Sequence, residues 1–187
     1  MQPINLYIFI HDDIPSDTAN TLISDYFALF TKEISSFTGR TFIFNKIRNR
    51  TGITDFEYAS KSDDGDVAAL SRWAGVARGF QERHNLGWGK TERYILVTKH
   101  SLTDTGLGIA YLKEPPLIAC IKYPQVIAHE VGHSFNGTHE HALLIEDSSG
   151  AICESFIYAK NSNTRSKCFR YTQANRDRIA AFLSDAP

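Results

Sequence analysis

Apolar residues along this chain follow two different periods, one suited to strands and one to helices. INLYIFIH (4–11) is a compact apolar run rich in strand formers, closed by Asp12 and Asp13, and it predicts a buried β-strand. Leu22, Ile23, Tyr26, Phe27, Phe30, Ile34 and Phe37 then recur at helical spacing, and Gly39 marks the stop that glycine commonly provides after a helix. TFIFNKI (41–47) predicts a second strand. Val67, Leu70, Trp73, Ala74, Ala77 and Phe80 predict one face of a second helix, with Trp73 and Phe80 in the core. RYILVTK (93–99) reads as a third strand and GIAYL (108–112) as a short fourth. PQVIAHEVGHSF (124–135) opens on a proline, which suits the first turn of a helix. Beyond residue 136 the pattern is irregular until TQANRDRIAAFL (172–183), a closing helix with Thr172 as its cap.

The predicted order is strand, helix, strand, helix, strand, strand, helix, then a loop-rich part ending in one helix. This is an α/β protein with two long helices and a mixed twisted sheet. No repeat or linker divides the 187 residues, a length that suits one domain with a real core. We expect a larger part over 1–136 and a small irregular part over 137–187.

Composition sharpens this only by exclusion. A formal net charge of -1 argues against a nucleic-acid partner, which would call for a basic face. The basic stretch NKIRNR (45–50) reads as a solvated strand end and turn. No apolar run approaches the ~20 residues that span a bilayer. The N-terminal stretch MQPINLYIFIHDD lacks the basic lead and the apolar length of a signal peptide. The three cysteines, Cys120, Cys153 and Cys168, allow at most one bridge within the chain. SDDGD (62–66) lacks the spacing of an EF-hand calcium loop, leaving a calcium role uncertain, and it suits the acidic start of the helix that follows. Nothing in the sequence sets an oligomeric state.

The candidate chemistry lies in HEVGHSFNGTHEH (129–141), which holds four of the chain's seven histidines. His129 and His133 are four apart and share a helix face, so both imidazoles can meet one Zn²⁺ at about 2.0–2.1 Å. Glu130 is rotated by about 100° and can reach a water at the metal without ligating it. His139 lies six residues beyond His133, about 600° of helix, and can join the pair only if the helix stops and the chain doubles back. Asn136-Gly137 is a strong turn signal, and asparagine tolerates the left-handed conformation that ends helices. His129, His133 and His139 then form a three-nitrogen site with its fourth position open, the mark of a single catalytic zinc ion.

These residues resemble the H-E-x-x-H-x-x-G-x-x-H signature of the metzincin metallopeptidases, with Asn136 in the place of the usual glycine. The likeness is greatest to the adamalysin (reprolysin) branch. ILVTKHSLTDTGLGIAYL (95–112) looks like that branch's third strand, loop and substrate-binding edge strand, and FRYTQANRDRIAAFL (169–183) like its closing helix. SSGAICES (148–155) falls where the Met-turn belongs, which makes Cys153 the Met-turn equivalent.

The resemblance implies a metzincin-like catalytic domain and a zinc endopeptidase acting on a peptide or protein outside the producing cell. His129, His133 and His139 would be the ligands and Glu130 the catalytic residue. Gly108, Ile109, Ala110 and Tyr111 would bind an extended substrate. Cys153 would serve as the floor beneath the metal, as a thiolate ligand, or as half of a disulfide with Cys168. Ser155 stands where related branches place a tyrosine, which implies no tyrosine ligand from this turn. Two alternatives stand beside this reading: a gluzincin-type site with Glu146 or Glu154 as third ligand, and a degenerate fold kept as a binding module.

Overall fold

In the computed structural model, which describes residues 1–59, 64–146, 149–159 and 165–184, β1 (Ile4–Ile10) is followed by a long helical stretch. That stretch opens as α1 (Ser16–Leu22), widens to a π-helical turn over Ile23–Phe27 and continues as α2 (Ala28–Thr38). Gly39 ends it in the left-handed conformation at φ 70°, the predicted stop. The helix starts earlier than its apolar spacing indicated, because Ser16, Asp17 and Thr18 are polar and add nothing to the apolar pattern.

β2 (Phe42–Ile47) pairs in parallel with β1, and after α3 (Gly65–Arg83) the chain returns as β3 (Glu92–Thr98), parallel to β1 on its other side. Asp66 lies in the first turn of α3, as expected for the acidic stretch before it; Ser62 and Asp63 lie outside the described residues. Leu70, Trp73, Ala77 and Phe80 are buried, while Val67, predicted on the same face, is exposed.

β4 (Gly108–Ala110) is shorter than its sequence pattern and stops before Tyr111 and Leu112, which are exposed. It runs antiparallel along the outer edge of β5 (Pro116–Cys120), which itself lies parallel to β3, giving the order β2-β1-β3-β5-β4. β5 is absent from the sequence prediction. Its five residues are all buried, so the run shows no alternation, and Pro115-Pro116 at its start reads as a break. Pro116 occupies the first strand position, where the missing N–H is tolerated.

The sheet divides its side chains by period two. Ile95, Val97, Leu117 and Ala119 face a core built with Phe27, Phe30, Ile34, Val131 and Phe135. Tyr94, Leu96 and Ile118 face a second core with Trp73, Ala77 and Phe80 of α3. Helices therefore cover both faces, as an interior of parallel strands requires.

After α4 (Gln125–Ser134) the chain forms a second, small sheet of β6 (Leu144–Glu146), β7 (Ile152–Glu154) and β8 (Ser166–Lys167) where sequence predicted only irregular structure. Strands of two or three residues are too short to show a period. A disulfide between Cys153 and Cys168 links β7 to the residue after β8. α5 (Gln173–Ser184) closes the described chain, and Thr172 Oγ1 caps it by accepting from Asn175 N at 3.2 Å. Among the described residues no helix is long and apolar enough to cross a membrane.

Candidate metal centre

α4 carries His129, Glu130 and His133, and its far end is built to reverse the chain. Gly137 N donates to Gly132 O at 2.8 Å and Asn136 N to His133 O at 2.9 Å, the paired bonds of a Schellman motif. Asn136 takes the left-handed conformation at φ 79°. Gly137 has no room for a side chain: a Cβ there would meet Ile157 Cδ1 and lie 2.9 Å from Gly132 O. The chain then extends through Thr138 and turns once over His139–His141.

This reversal brings the three histidines together. His129 Nε2 lies 3.0 Å from His139 Nε2 and 3.0 Å from His133 Nε2, and the third separation is 3.1 Å. The other ring nitrogens of two of them face main-chain carbonyls, His129 Nδ1 at 3.0 Å from Phe156 O and His133 Nδ1 at 2.8 Å from Gly137 O. A carbonyl only accepts, so Nδ1 carries the proton in both neutral rings and each Nε2 presents a lone pair. Two such lone pairs at 3.0 Å cannot bond to each other. A cation between the three nitrogens resolves the conflict.

Zn²⁺ fits the donor set. Three nitrogens at about 2.0–2.1 Å with tetrahedral angles would stand about 3.3–3.4 Å apart, about 0.2–0.4 Å wider than the triangle here. Neutral imidazoles suit that metal, and the carbonyls behind two of them hold the tautomer it needs. Burial, with the neighbouring His133 and His139, pushes the His129 imidazole down to about 3, and burial lowers His133 too. Both rings therefore stay neutral. Among the described residues no carboxylate joins the cluster. Glu154, a gluzincin-type alternative, is instead buried and ion-paired with Lys167.

Glu130 is buried beside this triangle. Burial is the first cause, and Asp66 the second, that pushes its carboxyl up to about 8. It lies against the backbone of the edge strand: a Cβ at Gly108 would stand 2.7 Å from Glu130 Cγ and 2.9 Å from Oε1. Both residues line a cleft of about 490 Å³, together with His129, His139, Ser155 and Tyr158 among others. Gly108, Ile109 and Ala110 form the edge strand expected from sequence, while Tyr111 follows it outside the strand. Ser155 Oγ is buried at this wall without a hydrogen-bond partner among the described residues.

Cys153 is not a free thiol beneath the metal. It is bridged to Cys168, the third of its expected alternatives, and a half-cystine offers neither a thiolate ligand nor a thiol floor. A tight turn lies further on, where Tyr158 N donates to Ser155 O at 3.1 Å. Phe156 supplies the carbonyl for His129 there, and Ile157 packs on Gly132 and Gly137. His141 touches Thr138 Oγ1 through Nδ1 at 2.8 Å and stays outside the cluster.

Sequence reasoning also missed Arg93. Fully buried on β3, it donates to Ser134 Oγ at 2.7 Å and Ser134 O at 2.6 Å, with its guanidinium 4.0 Å from the Phe135 ring centre. A cation thus finishes the C-terminus of the histidine helix, where the dipole favours one. An arginine inside a strand pattern gives no sign that it reaches a helix end 41 residues later.

No protein-family model matches the sequence, and no curated protein matches it significantly. The fold has a solved counterpart in the crystal structure of a zinc-dependent peptidase from Methanocorpusculum labreanum (strain Z). The two chains share 18% identity and superpose with a TM-score of 0.52, over 93% of this chain and 99% of the other. At that identity the likeness establishes a shared fold, that of a zinc-dependent peptidase, with a three-histidine cluster in this chain.

Proposed function

We propose that the protein is a zinc-dependent endopeptidase of the metzincin type. One observation carries the reading: three histidine Nε2 atoms converge at 3.0–3.1 Å, at least two of them as lone pairs fixed by backbone carbonyls. Glu130 lines the same cleft as His129, His139 and the edge residue Gly108, and the fold shared with the Methanocorpusculum labreanum peptidase supports the same conclusion.

A zinc ion held by His129, His133 and His139 would supply Lewis-acid polarisation and bring the pKa of a water towards about 7. Glu130, placed by Gly108 against the edge strand, would take the proton of the attacking water and return it to the leaving amine. It would accept that proton in its ionised form, which a zinc ion close by favours against the effect of burial. The free edge of β4, over Gly108–Ala110, offers main-chain groups to an extended peptide, which adds as another strand. Ser155 Oγ is available to a polar group of that substrate, because burying a hydroxyl without any partner is costly. By the same family resemblance, we place the activity outside the producing cell.

Wild type and Glu130→Gln, both analysed for zinc, should be compared on casein and on quenched peptides, with a chelator control. We expect about one zinc per chain in both. Rate should fall by about 10²–10⁴-fold in the variant, the usual worth of a general base. Equal activity of the two zinc-loaded proteins would rule out this mechanism. Zinc without hydrolysis in either would favour a binding module.

A further inference from the structure

His129 and His133 are anchored by their own rings, each through Nδ1 to a carbonyl, but His139 is not. Among the described residues, the His139 ring has no hydrogen-bonding contact except the other two imidazoles. Its position must therefore come from its backbone, in a segment with little regular structure of its own. We propose that α5 is the positioning element of this third ligand, with Thr172, Asn175 and Arg178 holding residues 136–141 in the shape that returns His139 to the site. The inference rests on the zinc reading above.

The three residues recur at intervals of three, so they share one side of the helix end. Asn175, only 1% exposed, closes a two-bond ring with Thr138, accepting from Thr138 N at 2.9 Å and donating to Thr138 O at 3.1 Å. Thr172 Oγ1 donates to His141 O at 2.6 Å. Arg178 grips Asn136 twice, Nε to the main-chain O at 3.0 Å and a terminal nitrogen to Oδ1 at 3.0 Å. The contacts thus fall on both sides of His139.

This gives Asn136 a second role beyond its tolerance of positive φ. A glycine would make the same turn with less strain, but it offers Arg178 only the backbone half of the grip. The planar guanidinium fork suits that two-point contact in a way a lysine cannot.

The test measures metal binding apart from catalysis. Zn²⁺ affinity, by competition with a chromophoric chelator, and the visible spectrum of the Co²⁺-substituted protein are compared for wild type, Arg178→Ala, Asn175→Ala, Asn136→Gly and Asn136→Asp. Melting of each metal-free protein serves as the fold control, and exposed Asp177→Ala as the control on the same helix.

We expect Arg178→Ala and Asn136→Gly to bind Zn²⁺ about 10–100-fold more weakly, the usual loss when the support of a ligand is removed. Their Co²⁺ spectra should also change. Asn136→Asp keeps both the turn and the acceptor and should bind as wild type does. In the double variant, Arg178→Ala should cost less on top of Asn136→Gly than it does alone. If Asn175→Ala fails to fold, Arg178→Ala and Asn136→Gly carry the test. Wild-type affinity and spectrum in those two variants overturn the proposal, whatever their melting temperatures. A wild-type chain that binds no Zn²⁺ overturns the zinc reading along with it.

Discussion

Replacing Gly108 by alanine asks whether the edge strand places the carboxylate of Glu130, the proposed general base. The added Cβ would stand 2.7 Å from Glu130 Cγ, 2.9 Å from Oε1 and 2.9 Å from Ile118 O. Carbon atoms rest at about 3.5–4.0 Å, so the carboxylate must retreat by roughly 1 Å or β4 must lift from β5. Overpacking of this kind costs about 1–3 kcal/mol. For a chain of this length it should lower Tm by about 2–12 °C, at ~2–4 °C per kcal/mol. A displacement of ~1 Å in a catalytic group can cost about 10²-fold in rate. The three atoms nearest this Cβ belong to Glu130 and Ile118 and not to the histidines, so zinc content should be unchanged. The assay is kcat and KM on a quenched peptide, with metal analysis and a melting curve on the same preparation. A Gly108→Ala protein with full zinc and wild-type kcat would refute the placement of Glu130 by the strand.

Further outcomes follow from other contacts. Reducing the Cys153–Cys168 bridge, which spans 15 residues, should cost about 3 kcal/mol. That is a Tm loss of about 6–12 °C, read by melting with and without a thiol reductant, and an unchanged Tm would argue against the bridge. Arg93→Met strips donors from Ser134 Oγ and O, at about 1–3 kcal/mol for each acceptor left short, measured by denaturant unfolding. In the metal-free protein, His129 is held near 3 against an ordinary value of 6.5, so between these values the unfolded chain binds a proton that the fold refuses. The contribution of His129 to stability is therefore complete above about pH 6.5 and declines as pH falls towards about 3. Glu130, held near 8 against an ordinary 4.5, contributes with the opposite sign as pH rises from about 4.5 to 8. Unfolding curves of the metal-free wild type and Glu130→Gln across that range separate the two.

Much of the site was readable in the sequence because its logic is local. The i, i+4 spacing of His129 and His133 and the turn at Asn136-Gly137 are short-range features, and each reappears in the structure. β1, β2, β3, the Gly39 stop and the Thr172 cap were readable for the same reason. β5 was hidden because a strand buried on both faces has no period, and two prolines led into it. Cys153 carried three readings by analogy, a floor beneath the metal, a thiolate ligand or a bridge to Cys168, and the structure shows the bridge, whose partner no local pattern selects. Asn175 and Arg178 were illegible for a different reason. Their partners lie 37 and 42 residues away, and no short motif announces a contact at that range.

That distance also gives the site an order of completion. A ribosome that has delivered all three histidines has not yet made the helix that pins the third. Between the synthesis of His139 and that of Thr172, Asn175 and Arg178, the nascent chain carries the whole zinc motif but lacks those anchors. Competence for hydrolysis would then arrive late in translation, after all five strands of the main sheet have been made.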